Sequence, residues 1–244
     1  MSRSHEGKVA AVFGASFGMG RASAVALAQR GATIAASGRT AEALADVVGE
    51  IRAAGGEAEA FSADVEDPKH ARAALAAITD RFGRIDILVY ATGTNIPGRA
   101  ADILSETDWD MMQRTNISGL YHTVQAALES LRESKARVVV ISSAAVQMPD
   151  ASGVAYQATK HAQVGFTHGL MQEEAANGIR TTVIFPGLTN TRLVEKRPVP
   201  TPKEVLDQAL MPEDVAEAVV FVTSLPSRAY VPELLLFPAA IQQR

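Results

Sequence analysis

The sequence contains no cysteine. That single absence removes disulfides, zinc–thiolate sites and thiol nucleophiles together. Histidine is sparse, with five scattered residues and no pair at the i, i+4 spacing of a metal-binding helix. His161 beside Lys160, and His168 further along, therefore read as solvated or packing residues rather than ligands. Lysine and arginine form no cluster and the net charge is −4, so nucleic acid is not an expected partner. No segment reaches the roughly eighteen consecutive apolar residues of a membrane helix. The polar start, Met1 to Lys8, has no apolar stretch behind a basic segment and does not read as a signal peptide. The expectation left by these absences is a cytoplasmic protein.

What is present is apolar and periodic. Hydrophobic residues make up 47% of 244 residues, enough for one large core, and the length suits a single α/β domain. Short apolar runs, Val9 to Phe13, Thr33 to Ala36, Ala58 to Ser62, Ile85 to Val89, Val138 to Ile141, Thr181 to Phe185 and Leu234 to Phe237, alternate with segments of helical spacing. The helical candidates lie near 19–30, 41–54, 68–82, 107–133, 154–177 and 213–224. Most of the strands are almost wholly apolar, as expected of strands buried on both faces of a parallel sheet. A repeating βα order predicts a doubly wound sheet with helices on both faces. The proline-rich stretch Arg197 to Pro202 cannot continue a helix or donate to a ladder, so residues 187–203 read as a surface loop. Its place after the C-terminal end of a strand favours a lid, around 188–203, over an idle connection.

The first strand ends in Gly14-Ala15-Ser16-Phe17-Gly18-Met19-Gly20 and a helix follows at once. Gly14 supplies the backbone freedom of a tight turn, and a position without Cβ lets a pyrophosphate approach the main chain. The helix start adds unpaired N–H groups and the positive end of a dipole. A dinucleotide site is the reading; a glycine-rich turn without a ligand is the alternative. The second strand ends near Ser37-Gly38-Arg39, where a carboxylate holds the ribose 2′-OH in many NAD sites. A guanidinium there suits a 2′-phosphate, so NADP(H) is preferred and NAD(H) stays possible. A solvated arginine opening the next helix is the alternative.

A tyrosine and a lysine four residues apart, Tyr156 and Lys160, are one helical turn from each other and face the same way. On its own such a pair is a coincidence expected about one time in ten. Ser143 upstream, Asn116, the turn Gly14–Gly20 and Pro186-Gly187 complete an ordered set that resembles the short-chain dehydrogenase/reductase family over essentially the whole chain. The resemblance implies a single Rossmann-type domain with a seven-stranded, mainly parallel sheet, a nicotinamide cofactor and reversible oxidation of an alcohol. It implies that Tyr156 is the general acid/base and that Lys160 is its electrostatic partner, reaching the nicotinamide ribose. Ser143 would orient the substrate oxygen, and Asn116 would hold a water of the proton relay. It also implies cofactor contacts from Gly14, Ser16, Phe17, Gly18, Met19 and Gly20 of the first turn, from Asp64-Val65 at the adenine, and from Ala91 and Gly93. Pro186, Gly187, Thr189 and Thr191 would follow, with Thr191 near the nicotinamide amide. A homo-oligomer, dimer or tetramer, is usual for the family, with 107–133, 154–177 and Leu234 to Phe237 as candidate interface elements.

The chain departs from the family pattern after the fourth strand. Tyr90-Ala91-Thr92-Gly93 stands where Asn-Asn-Ala-Gly is common, Phe13 and Met19 replace commoner residues, and the tail lacks Asp-Gly-Gly. A cation about 5 Å from the phenol at an effective dielectric of about 20 would favour the phenolate by ~3 kcal/mol. On that expectation Lys160 brings Tyr156 down from about 10 towards the working pH. The substrate pocket is expected at 188–203 with Ile96 and Gln147, suited to a small ketone or secondary alcohol. The competing readings are a non-catalytic dinucleotide-binding sensor or scaffold of the same fold, and a dehydratase or epimerase.

Overall fold

A computed structural model describes residues 3–240. Valine and alanine dominate the first strand, β1 (Val9–Phe13), and every one of its residues is buried. The chain continues through α1 (Gly18–Gln29), β2 (Thr33–Gly38), α2 (Ala41–Ala53), β3 (Glu57–Ser62), α3 (Pro68–Phe82) and β4 (Ile87–Tyr90). The second half adds α4 (Glu106–Gln113), α5 (Gly119–Ser134), β5 (Arg137–Ile141), α6 (Val154–Glu174), β6 (Arg180–Pro186), α7 (Lys203–Leu206), α8 (Pro212–Ser224) and β7 (Glu233–Leu236). The seven strands form one sheet in the order β3-β2-β1-β4-β5-β6-β7, and all pairs are parallel.

Side chains of β1 alternate between two cores, as the two-residue period of a strand requires. Ala10 and Val12 join Leu27, Ile34, Leu44 and Val219 beneath α1, α2 and α8. Ala11 and Phe13 join Leu75, Ile78, Leu88 and Leu120 beneath α3 and α5. The strand order reverses between β1 and β4, where Phe13 is in register with Tyr90 on one side and Ser37 on the other. The crevice outside such a reversal is where an open α/β sheet binds its ligand. Helix α3 starts where the sequence signals predict, with Pro68 in its first turn and the Asp67 carboxylate accepting from Lys69 N at 2.7 Å.

Two expected elements differ. The long helix over 107–133 is broken by a π turn, Arg114–Ser118, between α4 and α5. The wider turn places Thr115 and Asn116 inward, buried against the sheet end. The fourth strand begins at Ile87 rather than Ile85 because Asp86 is tied sideways: its Oδ2 accepts from Val9 N at 3.0 Å and its Oδ1 pairs with Arg84 at 2.5 Å. The strand then runs one residue further, so Tyr90 is a buried strand residue rather than the first residue of the loop. Among the described residues no helix is long and apolar enough to cross a membrane.

Candidate active site

Gly14 has φ +85°, and a Cβ there would lie 2.8 Å from the backbone of Ala91 and Thr92. Gly20 is tighter: its Cβ would lie 2.1 Å from Gly14 O. The turn therefore closes only with glycine at both positions, which brings the β1 end, the β4 end and the α1 start together. No side chain caps α1 at Phe17, so its first N–H groups face the crevice unshielded. Ser16 Oγ, beside them, is buried and has no hydrogen-bond partner within the protein. An unpaired buried hydroxyl is costly unless a ligand satisfies it. The donors, the missing Cβ atoms and this hydroxyl together fit the phosphates of a dinucleotide.

A cleft of about 320 Å³ opens here. Gly14, Ser16, Phe17, Gly18, Met19, Gly20, Arg39, Asp64, Val65, Ala91, Gly93 and Thr191 all line it. Pro186, Gly187 and Thr189 do not: Gly187 N donates to Leu236 O, and Thr189 bridges to Leu210. Sequence reasoning missed Glu66, Thr94, Thr115, Arg192 and Lys196, which also line the cleft. Glu66 follows directly on Asp64-Val65, and both cations fall in the expected lid, so position alone marked them.

Arg39 is not free. Its Nη1 lies 3.6 Å from Glu66 Oε1, and the same carboxylate faces Arg114 and accepts from Thr115 Oγ1. The 188–203 segment is fastened over the cleft. Arg192 stacks 3.9 Å from the Phe17 ring centroid, Lys196 Nζ donates to Thr94 Oγ1 at 2.7 Å, and buried Arg99 donates to Lys196 O at 2.7 Å. A 3-10 turn, Val194–Lys196, carries the two Lys196 contacts, and Arg192 lies just before it.

Beyond Gly93 the predicted reacting group is assembled; Asn116, Ser143, Tyr156 and Lys160 adjoin the cleft there and are not among the residues that line it. Tyr156 is buried on α6, with the Ser143 side chain near enough to act on its phenol. Ser143 lies two residues past β5, capping the short 3-10 turn Ala144–Val146, where its Oγ accepts from Ala145 N at 3.1 Å. Lys160 Nζ lies 5.7 Å from the Tyr156 ring centroid and donates to Ile141 O at 3.2 Å. A Cβ on Gly93 would lie 3.4 Å from that nitrogen, so the ammonium adjoins the cleft. Asn116 is held by its own side chain: Oδ1 accepts from Thr94 N at 2.7 Å, and Nδ2 donates to Thr94 O and Thr159 Oγ1, both at 3.0 Å. Tyr90 OH donates to Thr115 O at 3.1 Å. These bonds secure the departure after the fourth strand, a phenol and two threonines tying the turn to its neighbours.

The charges do not settle as the sequence predicts. Burial pushes the Tyr156 phenol up to about 12, with the Ser143 hydrogen bond opposing, Asp150 adding to the rise, and Arg99 and Arg197 pulling back. Burial also draws Lys160 down to about 7. Lys160 does not bring the phenol towards neutrality: burial penalises the charged form of each group. Ile96 packs with Tyr156, Ala145 and Met112, as expected of a pocket wall. Gln147 is exposed and turned into the 3-10 turn after Ser143. His161 bonds Gln157 O, His168 faces Glu233, and the described residues hold no cluster able to bind a metal.

The sequence profile of the short chain dehydrogenase family matches residues 8–200. The chain belongs to the short-chain dehydrogenase/reductase family. An uncharacterised oxidoreductase of Staphylococcus epidermidis is 33% identical over 95% of this chain and 97% of that protein. The 3-oxoacyl-(acyl-carrier-protein) reductase of Vibrio cholerae is 31% identical over 93% of each chain. An alcohol dehydrogenase from Thermococcus sibiricus, complexed with 5-hydroxy-NADP, superposes with a TM-score of 0.88 at 28% identity, covering 97% of this chain and 99% of that one. A metagenomic short-chain oxidoreductase in complex with NADP superposes at 0.83, also 28% identical, over 96% and 97%. The short-chain dehydrogenase/reductase fold is thus present whole, and the chain is an oxidoreductase of that family.

Proposed function

We propose that this protein is an NADP(H)-preferring oxidoreductase that interconverts a small ketone and a secondary alcohol, with Tyr156 as general acid/base. One observation carries the reading: Lys160, one helical turn from the buried Tyr156, meets the glycine-turn cleft at Gly93, with Ser143 beside that phenol. When bound, a reduced nicotinamide supplies the hydride. The chain does the rest. The hydroxyls of Ser143 and Tyr156 donate to the substrate oxygen as negative charge develops on it. With its pKa raised to about 12, the phenol of Tyr156 is protonated at neutral pH, the state a general acid needs in the reducing direction. Ile96 and Leu193 beside Tyr156 give an apolar wall that excludes water. The lid carries Arg192 and Lys196 over the cleft, supporting a polyanionic cofactor.

The NADP(H) preference is supported by Arg39 at the cleft and by the lack of any carboxylate at the end of β2. Two structural neighbours carry NADP or its hydroxylated form, which is consistent with it. The sensor reading requires no reacting group, whereas here a costly buried lysine and phenol are maintained. The test is Tyr156→Phe with turnover followed at about 340 nm on a panel of carbonyl compounds. Cofactor binding is expected to persist while turnover falls by at least about a hundredfold. Turnover close to wild type would remove Tyr156 from the mechanism.

A further inference from the structure

Lys160 and Asn116 stand on different elements, α6 and the π turn, and one buried side chain joins them. Gln163 lies three residues beyond Lys160 and has no solvent exposure. Its Oε1 accepts from Lys160 Nζ at 3.0 Å, and its Nε2 donates to the main-chain O of Asn116 at 2.7 Å. These partners fix the orientation of the amide. An ammonium only donates and a carbonyl only accepts, so the flipped amide would set donor against donor and acceptor against acceptor.

The consequence falls on the geometry of the ammonium. It has three N–H groups. Ile141 O takes one and Gln163 Oε1 takes a second, which leaves one, on the side where Gly93 borders the cleft. The elements around the nitrogen otherwise bring neutral groups: the Ile141 carbonyl from β5, the Gly93 backbone after β4 and the Asn116 amide from the π turn. On α6 its titratable neighbour is Tyr156, and neither a carboxylate nor a second cation shifts it. An amide has no ionisable proton near neutral pH, so Gln163 holds and does not relay.

We propose that Gln163 is a positioning residue of the active site: it aims the remaining N–H of Lys160 at the cleft and locks the lysine to the turn that carries Asn116. The effect on turnover rests on the oxidoreductase reading above; the effect on the ionisation of Lys160 does not. Burial leaves ammonium and amine near balance at neutral pH, so gain or loss of one acceptor is readable.

The experiment uses the full chain with ¹³C-labelled lysine, following the Cε resonances against pH without cofactor, the Lys160 signal being assigned by its loss in Lys160→Met. A hydrogen bond to a charged group changes proton affinity by about tenfold or more. Gln163→Met is therefore expected to lower the Lys160 midpoint by about one pH unit or more, and Gln163→Glu to raise it by a similar amount. The fall in Gln163→Met distinguishes an acceptor from a filler, since a packing role would leave the midpoint alone in that variant. An unmoved midpoint, or movement in the same direction in both variants, overturns the proposal. Should Gln163→Met fail to fold, Gln163→Leu, which also lacks the acceptor, decides. The alkaline limb of kcat/KM is expected to follow the same shifts. Moved midpoints in a protein without reductase turnover would defeat the proposed function and leave the positioning role standing. Normal pH profiles in both variants, with the midpoint unmoved, would do the reverse.

Discussion

Replacing Lys160 by methionine should make the protein more stable while disabling it. The lysine is buried and its pKa falls from 10.5 to about 7. At about 1.36 kcal/mol per tenfold change, holding the charged form inside costs about 5 kcal/mol at neutral pH and below. Methionine keeps much of the volume and carries no charge. It also strips a donor from Gln163 Oε1 and Ile141 O, and an unsatisfied buried acceptor costs roughly 1–3 kcal/mol. Two such acceptors together cost about 2 kcal/mol or more, so the net expectation at about pH 6.5 is a gain of up to about 3 kcal/mol, or up to roughly 12 °C in Tm for a domain of this size.

The pH dependence is the sharper test. Because the folded pKa lies below the unfolded one, the unfolded chain binds more protons between about 7 and 10.5. Wild-type stability therefore climbs with pH across that window, and the full penalty applies beneath it. The variant lacks this climb. Its advantage should be largest at about pH 6.5 and close by about pH 9, where the remaining penalty is about 2 kcal/mol and the two lost hydrogen bonds match it. The Tyr156 phenol, shifted from 10 to about 12, stays protonated throughout that range and does not contribute. Urea unfolding of both proteins at several pH values measures the gap. A variant no more stable than wild type at about pH 6.5, or one with the same advantage at every pH, would refute the reasoning.

Two further outcomes follow from named contacts. Arg39→Ala is expected to weaken NADPH about tenfold, the low end for a charged hydrogen bond because the side chain is largely exposed. NADH should be unaffected, and fluorescence titration with both cofactors compares them; an equal loss would remove the 2′-phosphate role. His5 is fully buried and burial lowers its pKa to about 4. Thr223 Oγ1 donates to Val219 O, so His5 Nε2 donates to Thr223 and Nδ1 is left to accept from Ser4. Its contribution is full above about 6.5 and is lost as pH falls towards 4, up to about 3 kcal/mol. His5→Gln should flatten that acid limb in urea unfolding, and an unchanged slope would show that another group controls it.

The parallel sheet was legible because its strands are apolar on both faces, and Val9–Phe13 needs no alternation to be read as buried. The glycine turn was legible for a steric reason, since Gly14 and Gly20 sit where any Cβ would strike backbone. The π turn was not legible: Arg114 to Ser118 keeps helical spacing in sequence, and only packing on the sheet end selects the wider turn that buries Asn116. The sign of the Tyr156 shift was missed for a related reason. A pair of charges can be placed by spacing along a helix, but the water they lose depends on Ile96, Met112 and Ala145 arriving from elsewhere in the chain. The role of Gln163 has the same origin. Read along α6 it is one polar residue in an amphipathic stretch, and its partners Lys160 and Asn116 meet only because the π turn brings a carbonyl within 2.7 Å of its amide. Residues constrained by their own backbone could thus be found from the sequence alone. Tyr156 and Lys160 could be found there too, but their ionisation, which depends on lost solvent, and the role of Gln163 required the assembled core.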